Sequence, residues 1–140
     1  MSRMQLAINV KNVDESVAFY SKLLGVEPAK HHPGYANFAV IEPALKLVLI
    51  ENANEAGTLN HLGIEVQTSA EVVAAEHRLQ DHGLEIHPEN QVTCCYARQD
   101  KIWTTDPDGA SWEIYTVLED TDTFGRTQPD TPTSVCGTCC

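Results

Sequence analysis

Apolar and polar residues alternate strictly over residues 3–10, RMQLAINV, and this alternation predicts a β-strand with one apolar face. Helical spacing of apolar residues follows in DESVAFYSKLLG, with Asp14 as a candidate N-cap and Gly25 as the stop. A short strand near residues 26–30 and two longer ones, YANFAVIE and ALKLVLIE, are predicted next, around a turn at residues 31–34. The first half therefore predicts the order βαβββ.

The same order recurs in the second half of the chain. NHLGIEVQ predicts a strand, EVVAAEHRLQDHG predicts a helix capped by Ser69 and ending at Gly83, and LEIHPENQV, CYARQDKIWTTD and ASWEIYTV predict three more strands. The segment DPDG predicts the last hairpin turn. An offset of about 56 residues superimposes the halves and lays Gln5 on His61. We expect an α+β fold of two βαβββ modules, about 3–52 and 58–118, around a shared open, barrel-like cleft.

Charge and length narrow the function. The chain has 140 residues and a formal net charge of -11, which disfavours nucleic acid and anionic membranes as partners, because both select for clustered Lys and Arg. No apolar run reaches the roughly 20 residues of a membrane span, and the N-terminus lacks the pattern of a signal peptide. We expect a cytoplasmic protein whose five cysteines are thiols.

The C-terminal segment differs in composition from the rest. Residues 119–140 are rich in Thr, Asp, Pro and Gly, and the segment ends in CGTCC, which contains Cys136, Cys139 and Cys140. Few large apolar residues are available there to form a core. The sequence therefore predicts one folded domain over residues 1–118 and a disordered, cysteine-containing tail, whose thiols we expect to capture or deliver a thiophilic ligand.

Three polar residues on predicted strands are candidate metal ligands. His61 opens the first strand of the second module, Gln5 is its equivalent in the first, and Glu113 lies within ASWEIYTV. A carboxylate on a half-buried strand is unfavourable unless it is paired or binds a cation. Two N or O donors with one carboxylate are typical of the facial triad of non-haem Fe(II) oxygenases. Alternatively, His61 is an ordinary core histidine, and Glu113 pairs across the sheet with Arg98 or Lys101.

The repeat also predicts a fourth position, near Leu47 or Leu49, which has no ligand side chain. Three protein ligands with open positions describe a catalytic metal site better than a structural one.

Cys94 and Cys95 are adjacent in a predicted strand, where neighbouring side chains point to opposite faces unless the chain bends. Two adjacent thiolates can bind a soft centre such as trivalent arsenic or cadmium if the backbone kinks. One buried and one exposed cysteine is the simpler interpretation. A strained vicinal disulfide is a third.

These features together resemble the vicinal oxygen chelate superfamily, which includes glyoxalases, extradiol dioxygenases and bleomycin-resistance proteins. More narrowly, the chain resembles the group of organoarsenical carbon-arsenic lyases and cadmium-induced proteins (ArsI/CadI). The resemblance covers nearly the whole predicted domain, in RMQLAINVKNVDESVAFYSKLLG, PGYANFAVIEPALKLVLIE, NHLGIEV, CCYARQDKIWTTDPDG and SWEIYTV, and CGTCC fits the cysteine-rich tails of that group.

The resemblance implies a non-haem Fe(II) dioxygenase that uses O2 to cleave the carbon-arsenic bond of trivalent organoarsenicals to arsenite, in arsenic resistance. Its substrates would include methylarsenite and trivalent aromatic arsenicals. Gln5, His61 and Glu113 would hold the iron, and Cys94 and Cys95 would hold the arsenic. Candidates to line the pocket are Tyr35, Phe38 and Tyr96. Extradiol dioxygenases have His where this chain has Gln5, and a neutral amide binds iron more weakly than imidazole.

Two other functions are compatible with the sequence. A non-catalytic protein could bind cadmium or arsenic through Cys94, Cys95 and the tail thiols. A glyoxalase-like isomerase is disfavoured because such enzymes fill the fourth metal position. The sequence also allows a homodimer.

Overall fold

The computed structural model describes residues 2–121, which form two compact units. The N-terminal unit is Arg3–Leu62, and the C-terminal unit comprises residues 63–121 together with Ser2. The predicted capture role of Cys136, Cys139 and Cys140 falls outside the described residues. The module limits 3–52 and 58–118 stay a prediction.

The N-terminal unit contains one helix and a mixed sheet. Its elements are β1 (Arg3–Val10), α1 (Val13–Leu24), β2 (Lys30–His32), β3 (Tyr35–Val40), β4 (Leu45–Glu51), a 3-10 helix (Ala53–Glu55) and the first part of β5 (Leu59–Glu65). The strand order is β2-β3-β4-β1-β5. Strand β1 runs parallel to β4, whereas β3 is antiparallel to both β2 and β4.

The C-terminal unit repeats this order of elements. After the end of β5 come α2 (Ser69–Asp81), β6 (His87–Cys94), β7 (Ala97–Thr105) and β8 (Ser111–Asp120), in the strand order β5-β8-β7-β6. The predicted α+β class and the doubled βαβββ order are confirmed. Strand β8 ends at Asp120. Within residues 2–121, no helix is long and apolar enough to cross a membrane.

Each helix packs on one face of its own sheet. Under α1 lies a cluster of buried apolar residues: Val10, Val13, Val17, Ala36, Phe38, Val40, Leu47 and Leu49. Under α2 the cluster comprises Val72, Ala75, Ile102 and Ile114. Phe38 therefore belongs to the helix-side core, and its predicted place in a pocket lining is wrong, because alternation along β3 turns it towards α1.

The opposite face of each sheet buries polar side chains. In the N-terminal unit these are Gln5, Asn9, Asn37 and His61, and in the C-terminal unit they are Glu89, Gln99, Lys101 and Glu113. Burial of polar groups is costly unless they are paired, so these side chains need hydrogen-bond or ionic partners. The two faces of each sheet thus separate packing from polar chemistry.

The N-caps of both helices lie one or two residues before the predicted caps. The Asn12 side chain accepts a hydrogen bond from the backbone N–H of Glu15, so Asn12 caps α1 and Asp14 lies in its first turn. Thr68 rather than Ser69 caps α2. In both cases a neighbouring residue with a capping side chain has the extended backbone conformation that a cap requires. Gly25 ends α1 with φ 72°, as predicted.

Replacing Asn12 by Ala removes the capping acceptor, and we expect the free energy of unfolding to fall by about 1 kcal/mol. Asp14→Ala is the matched control, because Asp14 is exposed and its contact with His31 (Oδ1 to Nε2, 2.8 Å) is a surface pair. Urea denaturation of both variants measures the difference. An equal or larger loss for Asp14→Ala would contradict the assignment of the cap.

Candidate functional site

Gln5 on β1 and His61 on β5 meet in the N-terminal unit. Their Nε2 atoms are 3.1 Å apart, and the side chains are only 4% and 2% exposed, respectively. The other ring nitrogen of His61, Nδ1, lies 2.7 Å from Asn60 Oδ1. The imidazole is therefore held at both nitrogens in a buried position. The predicted equivalence of Gln5 and His61 corresponds to a direct contact.

Glu113 on β8 forms a buried ion pair in the C-terminal unit. Lys101 Nζ on β7 donates a hydrogen bond to Glu113 Oε2 at 2.8 Å, and both side chains are almost fully buried. The ammonium group also lies 5.3 Å from the centre of the Trp103 ring and 5.7 Å from that of Tyr115, within the range of cation-π attraction. Of the two partners predicted for Glu113, Lys101 is therefore confirmed.

Arg98, the other predicted partner, pairs elsewhere. Its Nε lies 3.1 Å from Glu119 Oε1, as a half-exposed ion pair without hydrogen-bond geometry. Register explains the choice, since Arg98 pairs with Glu119 in the sheet, whereas Lys101 is near enough to reach Glu113 along one face.

The two cysteines flank the start of a tight hairpin turn. Cys94 ends β6 and pairs with Ala97, the first residue of β7, so Cys95 and Tyr96 are the two turn residues. Their φ angles are 51° and 63°, and positive φ at both positions is typical of the type I′ turn that normally contains Asn-Gly. A residue with a side chain in this conformation costs about 1–3 kcal/mol, and such strain clusters at functional sites.

Cys94 and Glu113 lie on the same face of the C-terminal sheet. Residues of β7 on that face, by alternation, are Ala97, Gln99, Lys101 and Trp103. Ala97 pairs with Cys94 at one end, and Trp103 pairs with Glu113 at the other. Since paired residues in a sheet project to the same side, the cysteine turn and the carboxylate share one surface, with Lys101 between them.

Gln99 supports the cysteine turn from this face. Its Nε2 donates to the backbone carbonyl of Cys94 at 3.1 Å, and its buried Oε1 has no hydrogen-bond partner in the structure of residues 2–121. Neither Gln99 nor Asn60 was predicted from the sequence to belong to the site. Alternating polar residues in RQDKIW were the available signal for Gln99, but polar alternation alone does not tell a buried face from an exposed one.

Both Cys94 and Cys95 are disulfide-bonded in the structure, and none of the described cysteines is free. The expectation of free thiols is wrong for these two residues. It rested on the redox state of the compartment, which does not determine which sulfur atoms a fold brings within bonding distance.

The position predicted to lack a fourth ligand also needs correction. Leu47 and Leu49 lie in the helix-side core, so neither shares a face with Gln5. By register the residues of β4 on the Gln5 face are Lys46, Val48 and Ile50. The prediction chose the wrong face of β4 because a repeat offset with unequal module lengths fixes position only to within one or two residues, and each single step reverses the face.

The predicted donors suit a divalent metal chemically. Within residues 2–121, no three or more His, Cys, Asp or Glu side chains lie close enough together to hold a metal ion. The predicted ligands include only two residues of these types, because the third, Gln5, is an amide. Imidazole, amide oxygen and carboxylate are N and O donors that suit Fe(II). The contact of His61 Nδ1 with Asn60 Oδ1 matches the usual support of a metal-binding histidine, in which an acceptor holds the ring nitrogen that does not bind the metal.

Comparison with known proteins identifies the family. Residues 4–114 match the model of the Glyoxalase/Bleomycin resistance protein/Dioxygenase superfamily. The chain belongs to this superfamily. An extradiol ring-cleaving dioxygenase from B. fuscum has a similar fold, with a TM-score of 0.62 at 21% sequence identity, over 85% of this chain and 33% of that one.

Two curated relatives have a much higher sequence identity to this chain than the dioxygenase has. The trivalent organoarsenical cleaving enzyme of Thermomonospora curvata is 55% identical over 127 residues, which are 90% of this chain and 84% of the relative. The cadmium-induced protein CadI of Mycobacterium tuberculosis is 51% identical over an alignment of 142 positions, which covers 100% of this chain and 93% of the relative. The predicted relationship to both kinds of protein is confirmed.

The buried ion pair of Lys101 and Glu113 leads to a prediction about stability. Lys101→Met leaves the Glu113 carboxylate buried without its cation, and we expect the free energy of unfolding to fall by about 3–5 kcal/mol. Arg98→Met on the same strand is the matched control and should cost less than about 1 kcal/mol, because that pair is half-exposed. Adding Glu113→Leu to Lys101→Met should recover part of the loss in denaturant unfolding. Equal losses for the two single variants would contradict this account.

Proposed function

We propose that this protein is an Fe(II)-dependent dioxygenase that cleaves the carbon-arsenic bond of trivalent organoarsenicals and releases arsenite. Methylarsenite and trivalent aromatic arsenicals are the proposed substrates. The observation that carries the proposal is that Cys94 and Glu113 lie on the same face of the C-terminal sheet. One member of the cysteine pair therefore shares a surface with a candidate metal ligand. The relative named as a trivalent organoarsenical cleaving enzyme, at 55% identity, supports it.

In this proposal Gln5, His61 and Glu113 hold the iron. The three side chains are each at most 4% exposed, so the protein shields the site from bulk water. Iron, when bound, supplies activation of O2. Lys101 holds Glu113 Oε2 and thereby restricts the rotation of the carboxylate. The side chain of His61 is restricted in the same way by Asn60.

Cys94 and Cys95 bind the arsenic in this proposal. Trivalent arsenic is thiophilic, and two thiols each displace one hydroxyl group from it, releasing two water molecules. The strained Cys95-Tyr96 turn fixes the two sulfur-bearing residues at one end of the face that carries Glu113. Capture by these thiols would orient the substrate on the sheet face that carries Glu113 and so lower the entropic part of the barrier.

The overall reaction balances without a further reductant. Methylarsenite as CH3As(OH)2 and one O2 have the same atoms as formaldehyde and arsenous acid, As(OH)3. The carbon-arsenic bond breaks, carbon and arsenic each gain one oxygen, and O2 accepts four electrons. A reductant is needed only to keep iron ferrous and the cysteines reduced.

The assay for this function supplies reduced protein with Fe(II), O2 and trivalent methylarsenical, and measures arsenite and formaldehyde. We expect Glu113→Gln and His61→Ala to lose at least about 100-fold in turnover and to bind iron weakly, because the first replaces the only anionic ligand by a weaker neutral amide and the second removes a ligand. Glu119→Gln, which changes an exposed carboxylate on the same strand, is the control and should retain activity. Iron-loaded, fully reduced wild type that forms no arsenite would refute the proposal.

The oxidation state of Cys94 and Cys95 should control arsenic binding. Only thiolates bind trivalent arsenic, so protein with both cysteines in disulfides should bind none, and a phosphine reductant should restore binding. Equilibrium dialysis with phenylarsenite measures this, in wild type and in Cys94→Ser/Cys95→Ser. A variant truncated after Thr121 removes the thiols of the tail from the comparison. Equal binding by the oxidised and reduced forms would contradict the assigned role.

A non-catalytic cadmium- or arsenic-binding protein is the second candidate, favoured by the relative named cadmium-induced protein, at 51% identity. Tight cadmium binding that Cys94→Ser/Cys95→Ser abolishes, together with no O2 consumption by the reduced, iron-loaded wild type, would favour this alternative.

A further inference from the structure

A continuous line of hydrogen bonds runs from His61 to the backbone of the 3-10 helix within the N-terminal unit. His61 Nδ1 meets Asn60 Oδ1 at 2.7 Å, Asn60 Nδ2 donates to Asn9 Oδ1 at 3.0 Å, and Asn9 Nδ2 donates to Thr58 Oγ1 at 3.0 Å. The Thr58 hydroxyl donates to the carbonyl oxygen of Glu55 at 2.6 Å. We call these residues the asparagine relay.

The direction of every bond in the asparagine relay follows from its last member. A carbonyl oxygen can only accept, so the Thr58 hydroxyl must use its single proton on Glu55. The atom of Asn9 that faces Thr58 must then be the amide nitrogen, which leaves the Asn9 oxygen to face Asn60. By the same logic Asn60 turns its nitrogen to Asn9 and its oxygen to His61.

This direction determines the tautomer of the neutral histidine. Asn60 Oδ1 can only accept, so His61 Nδ1 must carry the ring proton. The lone pair then lies on Nε2, and the Gln5 amide, 3.1 Å away, donates to it. A cation bound at this nitrogen would take the place of the Gln5 N–H donor, and Gln5 is itself a proposed ligand.

We propose that Asn60, anchored through the asparagine relay, is a positioning residue that fixes His61 in the Nδ1–H tautomer and makes Nε2 the metal-binding nitrogen. The proposal rests on the proposed function in taking His61 as a metal ligand. Beyond that function, it specifies which nitrogen of His61 binds the metal and which residue determines the tautomer. It also explains why both Asn9 on β1 and Asn60 on β5 are needed. A donor at the Nδ1 position would reverse the tautomer and block ligation through Nε2.

Nitrogen-15 NMR of the metal-free protein tests the tautomer directly. We expect a protonated Nδ1 and an unprotonated Nε2 for His61 in wild type at a pH where the ring is neutral, with the signal assigned by its loss in His61→Ala. Asn60→Leu should give a mixture of tautomers, because the acceptor at Nδ1 is gone. Asn60→Asp retains an acceptor and should keep the wild-type tautomer. Asn90→Leu, at an exposed strand position, is the control for loss of an asparagine.

Anaerobic titration with Fe(II), and with Co(II) as a spectroscopic probe, tests the consequence. Asn60→Leu should lower the affinity by about 10- to 100-fold, as loss of a hydrogen-bond partner behind a metal-binding histidine typically does, whereas Asn60→Asp should stay within a few-fold of wild type. If Asn60→Leu does not fold, Thr58→Val, which changes an exposed residue, removes the anchor and should produce a smaller shift in both measurements.

A wild-type His61 with the proton on Nε2, or Asn60→Leu with an unchanged tautomer and unchanged metal affinity, would overturn the proposal. Neither measurement depends on cleavage of a carbon-arsenic bond. Protein that binds metal through His61 but cleaves no organoarsenical would refute the proposed reaction and leave this inference standing.

Discussion

The need to pair polar side chains buried on the sheet faces opposite the helices governs this structure. In each unit one face packs under a helix, and the other face buries amides, an imidazole or an ion pair. An unpaired group in such a place destabilises the fold by several kcal/mol when it is charged. Gln5, Asn37 and Glu113 meet partners on the same or a neighbouring strand, whereas the Oε1 atom of Gln99 has none within residues 2–121. The partners also restrict the orientation of the candidate ligands.

The two units meet this requirement in different ways. The C-terminal unit pairs the charge of Glu113 with that of Lys101. Loss of either residue would strongly destabilise the fold, because the other would remain as a buried, uncompensated charge. The N-terminal unit uses neutral amides around His61, linked in a line that ends on a backbone carbonyl. The network around His61 holds the imidazole through neutral hydrogen bonds, whereas the carboxylate of Glu113 is held by a charged partner. Neutral hydrogen bonds thus orient the candidate ligand of the N-terminal unit, and an ion pair orients that of the C-terminal unit.

Backbone strain at the cysteine turn indicates function more directly than the fold does. The superfamily fold supports many reactions, so fold alone does not identify a substrate. A hairpin turn of this geometry would be better formed by Asn-Gly than by Cys95 and Tyr96. Retaining these residues at a cost in stability is the pattern expected where side-chain chemistry outweighs local preference. Sulfur chemistry at this turn is what separates the proposed reaction from others that the same fold supports.

The sequence by itself determined the elements, their repeated order and the face on which Gln5 lies, because hydrophobic periodicity and turn residues are local signals. It also related Gln5 to His61, because a repeat places equivalent residues on equivalent strands. Tertiary structure decided the rest. Strand register chose Lys101 over Arg98 as the partner of Glu113, and it put the β4 residues facing Gln5 one step away from the predicted Leu47 and Leu49. Register depends on contacts between distant segments, and a shift of one residue reverses every face, which is why periodicity alone could not determine these pairings.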